Sequence, residues 1–88
     1  MNFVFSKHAE EQMLRRNISR ENIISTILQP EQTDVDSENP EITVFQSLIK
    51  EYEQVFLLRI FINTYRNPNV IVTLYKTTKI KKYYESKI

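Results

Sequence analysis

The stretch of residues 41–76, EITVFQSLIKEYEQVFLLRIFINTYRNPNVIVTLYK, decides the fold. It contains three segments rich in β-branched and aromatic residues, at 41–49, 54–63 and 69–76. These residue types favour strands, and the polar connections KEYEQ and TYRNPN that separate the segments are typical of turns. Because short connections join antiparallel neighbours, the stretch predicts a three-stranded antiparallel meander.

Side chains of a strand alternate between the two faces of its sheet. In the last of the three segments, this alternation predicts one face made of Val70, Val72 and Leu74 and another made of Ile71, Thr73 and Tyr75. One face of the whole sheet is expected to pack on helices, because an apolar sheet face has to be covered.

Two helices are predicted ahead of the meander. Ser6 is a suitable N-cap for KHAEEQMLRR, which predicts a first helix at residues 7–16. The acidic residues near its start and the arginines near its end suit the helix dipole. Asn17 follows, and asparagine tolerates the left-handed conformation that ends many helices.

The second predicted helix is RENIISTIL, residues 20–28. Ser19 is its N-cap, its large apolar residues recur at helical spacing, and Pro30 ends it. The segment at 31–41, EQTDVDSENPE, is polar and acidic, which predicts either a loop or a short edge strand. The N-terminal MNFVF is compatible with a further edge strand.

The fold class that follows is α+β, with two N-terminal helices packed on a small antiparallel β-sheet and a short basic C-terminal tail. A chain of 88 residues closes one modest core, so residues 1–88 are expected to form a single domain. The hydrophobic share of 41% exceeds that of a disordered chain, which favours a folded domain.

The composition excludes several classes of site. The chain has no cysteine, one histidine and no glycine, which rules out thiolate metal sites, the usual zinc sites and glycine-rich phosphate loops. Neither a metal nor a cofactor is therefore expected. The longest apolar runs, VFLL and IFI, are far shorter than the ~20 residues of a membrane span, and the N-terminus lacks the features of a signal peptide. These features predict a cytoplasmic protein without membrane contact.

Charge is unevenly distributed along a chain whose formal net charge is +1. Residues 1–22 carry four basic and three acidic side chains, residues 23–53 one and seven, and residues 54–88 seven and one. A basic end is typical of a surface that faces phosphates or an acidic protein partner. The simpler interpretation is a surface of mixed charge with a lysine-rich terminus.

The first candidate site lies on the first helix. At about 100° per residue, His8, Gln12 and Arg15 fall within about 60° of arc, and Arg16 lies beside Gln12. An imidazole can transfer a proton near neutral pH, and guanidinium groups can stabilise an anionic phosphorane. The alternative is structural: His8 occupies the first turn and the arginines offset the helix dipole. Spacing alone favours this alternative.

The second candidate site is the run YKTTKIKKYY, where the last strand ends. Its polar side chains are Tyr75, Lys76, Thr77, Thr78, Lys79, Lys82 and Tyr83. Lysines can hold phosphates, and tyrosine rings can stack on unpaired bases. The alternative is a terminal helix with Lys79 and Lys82 in water and with Ile80 and the tyrosines packed on the sheet.

The order of these motifs resembles a bacterial family. FSKHAEEQMLRRNISRENIISTILQPE, followed by the meander and then VTLYKTTKIKKYY, is similar to the family called domain of unknown function 4258. That family has a histidine-alanine pair at the start of an arginine-rich helix and a terminal strand with a tyrosine, a basic residue, hydroxyl residues and a lysine. It is in turn similar to RelE-like and BrnT-like toxins, which are small metal-independent ribonucleases neutralised by an antitoxin.

The resemblance implies roles for particular residues. His8 and Arg16 match the helix pattern. The strand-end pattern is matched by Tyr75, Lys76, Thr77, Thr78 and Lys79. Gln12 stands where the family often has an arginine, and Asn17 stands where it has glycine. Arg15, on the same helix face as His8, is a candidate to replace the missing cation.

The resulting hypothesis is a toxin-like endoribonuclease with a RelE/barnase-like fold, which cleaves RNA through attack by the RNA's own 2′-hydroxyl. The predicted catalytic residues are His8, Arg15, Arg16, Tyr75, Thr78 and Lys79. The predicted RNA-binding residues are Lys76, Lys82 and Tyr83. The expected partners are RNA, such as messenger RNA, and an antitoxin protein. Two alternatives remain open: a non-catalytic RNA- or protein-binding module on the same fold, and a relative of the toxins that has lost its activity.

Overall fold

The computed structural model describes residues 2–85. Its helices and strands are, in chain order, β1 (Phe3–Phe5), α1 (Lys7–Arg15), α2 (Arg20–Leu28), β2 (Gln32–Val35), β3 (Ile42–Glu51), β4 (Gln54–Asn63), β5 (Asn69–Thr77) and α3 (Ile80–Tyr83). This order confirms the predicted helix pair followed by a meander, and both candidate edge segments form strands. Across the described range, none of the helices has the length and apolar character needed to cross a membrane.

The strands form one mixed sheet in the order β1-β5-β4-β3-β2. The strands β2 to β5 pair antiparallel, whereas β1 pairs parallel with β5. The prediction of a wholly antiparallel sheet is wrong at this edge, because two helices and three strands separate β1 from β5 and bring β5 back beside β1 in the same direction. At this edge the Ser6 amide donates to the Ile71 carbonyl at 2.9 Å. The fold class is therefore α+β with a five-stranded mixed sheet.

Serine caps begin the two longer helices, as predicted. The Ser6 hydroxyl accepts a hydrogen bond from the Ala9 amide at 3.0 Å, and the Ser19 hydroxyl accepts one from the Asn22 amide at 3.1 Å. Between the helices, Asn17 has a φ of 53°, the left-handed conformation expected of it in a chain without glycine.

The helices α1 and α2 cover one face of the sheet, and the core lies between them and the strands. Apolar side chains pair in register across the central strands on this face, with Ile60 opposite both Phe45 and Leu74. The buried members of the core are Ala9, Met13, Ile18, Ile23, Ile27, Leu58, Ile60, Ile62, Ile71 and Leu74. The opposite face of the sheet is called the open face below.

A β-bulge changes the predicted faces of β5. The register shifts between Phe61 and Ile62, which leaves Val72 as an extra residue on β5. Side chains on the N-terminal side of the bulge change face, so Ile71 is buried in the core with Leu74. The prediction that Ile71 shares a face with Tyr75 is therefore wrong, because strict alternation does not survive an inserted residue.

The predicted basic tail contains the short helix α3. Lys79 and Lys82 are exposed, whereas Ile80, Tyr83 and Tyr84 are half-buried. This arrangement is the one that the structural interpretation of the tail predicts. The last residues of the tail, 86–88, lie outside the described part of the chain.

The turn between β3 and β4 provides a test of how much left-handed residues lower the free energy of unfolding of this glycine-free chain. Glu51 pairs with Gln54, so Tyr52 and Glu53 form the turn, with φ values of 50° and 66°. Both values favour glycine. We expect Glu53→Gly to raise the free energy of unfolding by about 0.5 to 1 kcal/mol, as measured by urea unfolding.

The matched control for this turn is Gln54→Gly, because Gln54 lies at the start of β4, outside the left-handed turn. Glycine at such a strand position should lower the free energy of unfolding, since it orders a more flexible chain without relieving strain. Equal effects of the two variants would contradict the explanation from backbone conformation.

Candidate functional site

A row of polar side chains crosses the open face of the sheet. Its members, from β2 to β5, are Gln32, Gln46, Arg59 and Tyr75, each paired in register with the next. Directly paired residues lie side by side on one face. Gln46 is only 4% exposed, and Arg59 and Tyr75 are half-buried. The sheet register therefore places one guanidinium group among amide and phenol groups in the middle of the open face.

Arg59 is held on three sides. Its Nε donates to Gln46 Oε1 at 2.9 Å, and its Nη1 donates to the Tyr75 hydroxyl oxygen at 2.7 Å. Its Cζ lies 4.2 Å from the centre of the Tyr83 ring, a distance at which the ring attracts the cation. We call Gln46, Arg59, Tyr75 and Tyr83 the arginine cluster.

Aromatic packing orients the two tyrosines of the cluster. Tyr75 stacks on Phe61 with 5.9 Å between the ring centres, and Tyr83 meets Tyr75 edge-on at 6.4 Å. Aromatic contacts of this kind contribute about 0.5–1.5 kcal/mol each beyond the burial of their area. The positions of both phenol groups are therefore set by neighbours on β4, β5 and α3.

The pKa values of the two tyrosines shift in opposite directions. Hydrogen bonding with Tyr75, and then with Lys82, lowers the pKa of Tyr83 below its usual value. Burial is the largest influence on Tyr75 and raises its pKa, although the hydrogen bond from Arg59 acts in the other direction. Tyr83 thus releases its proton more readily than Tyr75. Two groups separated in this way are suited to act as a base and an acid.

An open groove of about 530 Å³ leads to Arg59. It is lined by Glu31, Gln32, Thr33, Asp34, Gln46, Arg59, Tyr83, Tyr84 and Glu85. Three of these residues carry carboxylates and one carries a guanidinium group. A phosphate is therefore attracted at the Arg59 end and repelled along the rest of the groove. The remainder of the groove favours a neutral or cationic group.

The residues predicted on the first helix lie on the other side of the sheet. The helix α1 packs on the covered face, where Met13 enters the core. His8, Arg15 and Arg16 are exposed, and Arg16 Nε donates to Oε1 of the buried Gln12 at 2.7 Å. Because the sheet stands between them, this set and the arginine cluster do not form one site.

Lys76, predicted to bind RNA, also lies on the covered face. Its register partner on β4 is Leu58, a member of the core. Its Nζ donates to Glu51 Oε1 at 2.6 Å and to the Asn17 carbonyl oxygen at 3.3 Å, and it lies 5.0 Å from the centre of the Phe56 ring. Lys76 thereby joins the end of β5 to β3 and to the turn between α1 and α2.

The remaining predicted residues follow β5. Thr78 and Lys79 are exposed. Lys82 Nζ lies 5.2 Å from the centre of the Tyr83 ring, and Tyr83 in turn contacts Tyr75. The structure thus brings together three of the predicted residues, one from β5 and two from α3, beside an arginine that the motifs do not identify.

Arg59 and Gln46 are absent from the residues predicted by the motifs. Arg59 interrupts the apolar run VFLLRIFI, and a charged residue within such a strand is a signal that a partner is required. Gln46 gives a weaker signal, because polar residues alternate on any strand with one face towards water. Their proximity depends on the register between strands, which the sequence alone does not specify.

Comparison with protein families gives a match over most of the chain. A family model described as Domain of unknown function (DUF4258) matches residues 5–76. The chain belongs to this family. The family predicted from the motifs is thereby confirmed. Arg59 and Tyr75 lie within the DUF4258 match, whereas Tyr83 lies beyond it. Comparison with curated proteins and with solved structures gives no match.

The contacts of Lys76 predict a structural effect of its removal. We expect Lys76→Ala to lower the free energy of unfolding by about 1 to 3 kcal/mol, because Glu51 and the Asn17 carbonyl lose their shared donor. The matched control is Lys79→Ala, since Lys79 is exposed, and its effect should stay within about 0.5 kcal/mol. Urea unfolding measures both variants. Equal stability of the two would contradict the structural role of Lys76.

Proposed function

We propose that this DUF4258 domain is a metal-independent endoribonuclease of the RelE-like toxin type, with the arginine cluster as its reactive centre. The observation that carries the proposal is the placement of Arg59 between Gln46 and Tyr75, under the ring of Tyr83. A guanidinium group fixed beside two phenols of unequal acidity can stabilise charge on a phosphate and transfer protons without a metal.

The proposed reaction uses the 2′-hydroxyl of the RNA as its nucleophile. Tyr83, as a phenolate, accepts the proton of this hydroxyl, and the 2′-oxygen forms a bond to the adjacent phosphorus. The bond between phosphorus and the 5′-oxygen breaks, and Tyr75 donates a proton to that oxygen. The products are a 2′,3′-cyclic phosphate and a 5′-hydroxyl. Both tyrosines return to their starting states when a proton passes from Tyr83 to Tyr75 through water.

Arg59 supplies the electrostatic part of this reaction. A guanidinium group has five N–H donors, and two of those of Arg59 are used by Gln46 and Tyr75. The remaining donors can bind phosphate oxygens, where negative charge increases as the phosphorane forms. Since the bound donors hold the group in place, little reorganisation is needed when the substrate reacts.

The likeness to a RelE-like fold is part of the same proposal. It is supported by two helices on one face of the sheet and by a polar cluster on the other. A toxin of this type implies RNA as its substrate and an antitoxin protein as its partner. The exposed residues Thr78, Lys79 and Lys82 are placed to contact the RNA backbone beside the cluster.

The proposal assigns catalysis to the open face instead of α1. His8, Arg15 and Arg16 lie across the sheet from Tyr83, so they do not reach a phosphate that contacts Arg59. In this assignment, the histidine and arginines of α1 are surface residues. Their substitution therefore separates the two candidate sites.

Cleavage of a labelled mixed-sequence RNA in the presence of EDTA tests the proposal. The wild-type protein should produce ends with a 2′,3′-cyclic phosphate. Tyr83→Phe and Arg59→Gln should each lower the rate by about 100-fold or more, because each removes a group that acts in the transition state. The matched control His8→Ala should cleave at the wild-type rate.

Two outcomes of this assay would overturn the assignment. Loss of activity in His8→Ala with full activity in Tyr83→Phe would place the reactive centre on α1. Absence of cleavage by the wild-type protein, at concentrations where it binds RNA, would contradict the enzymatic function itself.

The pH dependence of the cleavage rate follows from the two tyrosines. The reaction needs Tyr83 deprotonated and Tyr75 protonated. Since the pKa of Tyr83 is lowered from the usual value of about 10 and that of Tyr75 is raised, the rate should rise with pH as Tyr83 loses its proton and should fall only at a higher pH, where Tyr75 loses its own. Initial rates between about pH 6 and 9.5 measure this limb, with Tyr83→Phe as the background. The same rising limb in Tyr83→Phe would exclude Tyr83 as the base.

A second candidate function, a non-catalytic binding module, is favoured by the acidic groove. Glu31, Asp34 and Glu85 line the groove beside Arg59. These carboxylates suit a basic segment of a partner protein better than they suit a chain of phosphates. This function predicts no cleavage. It also predicts RNA binding, where present, that weakens little between low and moderate salt, whereas phosphate contacts by lysines predict a steep loss.

A further inference from the structure

Gln46 occupies a special position in the arginine cluster, because its side chain binds both Arg59 and the backbone of Tyr83. Its Oε1 accepts from Arg59 Nε at 2.9 Å. Its Nε2 donates to the Tyr83 carbonyl oxygen at 2.9 Å and to Gln32 Oε1 at 2.7 Å. Both hydrogens of the amide nitrogen are therefore used, and the amide links β4 to α3.

Gln32 provides a second attachment, at Glu85, two residues after Tyr83. Its Oε1 accepts from the Glu85 amide at 3.3 Å, and its Nε2 donates to the Glu85 carbonyl oxygen. The two glutamines thus bind the backbone at residues 83 and 85 through their side-chain amides. Between these residues Tyr84 has extended backbone angles, φ −106° and ψ 121°. These bonds hold residues 83–85, called the C-terminal segment below, on the open face of the sheet.

The C-terminal segment has little support of its own. The helix α3 contains four residues and has no side-chain cap at its start. A helix of this length is not stable by itself in water. Contacts with the sheet therefore have to position Tyr83, and the bond from Gln46 is made to the carbonyl of that residue.

We propose that Gln46 is a positioning residue, which fixes Tyr83 relative to Arg59 by binding both groups with one side-chain amide. This inference rests on the proposed function in one respect, that the contact between Tyr83 and Arg59 matters for cleavage. The positioning itself concerns the free protein. The reactive centre is complete only while residues 83–85 are docked on the two glutamines, and Gln32 provides the outer of the two attachments.

The first experiment measures positioning without RNA. Tyrosine titration by NMR of the free protein follows the pKa of Tyr83 in the wild type, in Gln46→Met and in Gln54→Met. Methionine keeps the length of the side chain and removes its hydrogen bonds. Gln54 is an exposed glutamine at the far end of β4, so Gln54→Met is the matched control.

We expect Gln46→Met to return the Tyr83 titration towards that of an ordinary tyrosine, because the ring loses its place beside Tyr75 and Lys82. Gln54→Met should titrate as the wild type does. Amide hydrogen exchange at Tyr84 and Glu85 should become faster in Gln46→Met and should stay unchanged in Gln54→Met. An unchanged titration and unchanged exchange in a folded Gln46→Met protein would overturn the inference.

A second variant keeps the test valid where Gln46→Met destabilises the fold. Gln46→Glu retains an acceptor for Arg59 Nε and loses both donor bonds, so it cannot bind the Tyr83 carbonyl. Faster exchange at Tyr84 and Glu85 in Gln46→Glu is the expected result. Exchange at the wild-type rate would show that Gln46 does not hold the segment.

Kinetics separate this inference from the proposed function. If both hold, Gln46→Met should lower kcat by about tenfold or more with a smaller change in KM, because Arg59 keeps its bond to Tyr75 and still binds the phosphate while the base is misplaced. If the wild-type protein does not cleave RNA, the proposed function fails, whereas the titration and exchange results still decide whether Gln46 positions Tyr83.

Discussion

The need to provide partners for the guanidinium group of Arg59 is the constraint on which the arrangement of the open face depends. A charged group in the middle of a central strand needs partners nearby, because an unpaired buried charge costs several kcal/mol. Gln46 and Tyr75 provide these partners since the register places them on either side of Arg59. That register is shared with the covered face, where Ile60 packs between Phe45 and Leu74. Packing of the core therefore determines the geometry of the polar cluster on the opposite face.

The local features of this fold follow from the sequence, and its long-range features do not. The serine caps at Ser6 and Ser19 and the left-handed Asn17 depend on neighbouring residues, so composition and spacing predict them. The parallel pairing of β1 and the bulge at Val72 depend on contacts between distant segments. No pattern within either segment specifies such contacts, which explains why the sequence predicts a wholly antiparallel sheet with strict alternation.

The same distinction applies to the candidate site. The run YKTTKIKKYY indicates that tyrosines and lysines lie near the end of β5, where Lys82 contacts Tyr83 and Tyr83 contacts Tyr75. It does not indicate that Tyr75 and Lys76, adjacent in sequence, lie on opposite faces of the sheet, one beside Arg59 and the other beside Glu51. A motif joins residues by their order in the chain. A site is formed by residues that lie on the same face of the sheet, and a shift of one residue along a strand moves a side chain to the other face.

The two halves of the arginine cluster differ in how firmly they are held. Arg59 and Tyr75 belong to central strands, whose backbone bonds open together with the domain. Tyr83 belongs to a four-residue helix outside the DUF4258 match, and glutamine side chains bind its segment. Local opening of that segment requires less free energy than opening of the sheet. The complete cluster is therefore only as persistent as its C-terminal attachment, so stabilising the core alone would leave the placement of Tyr83 over Arg59 unchanged.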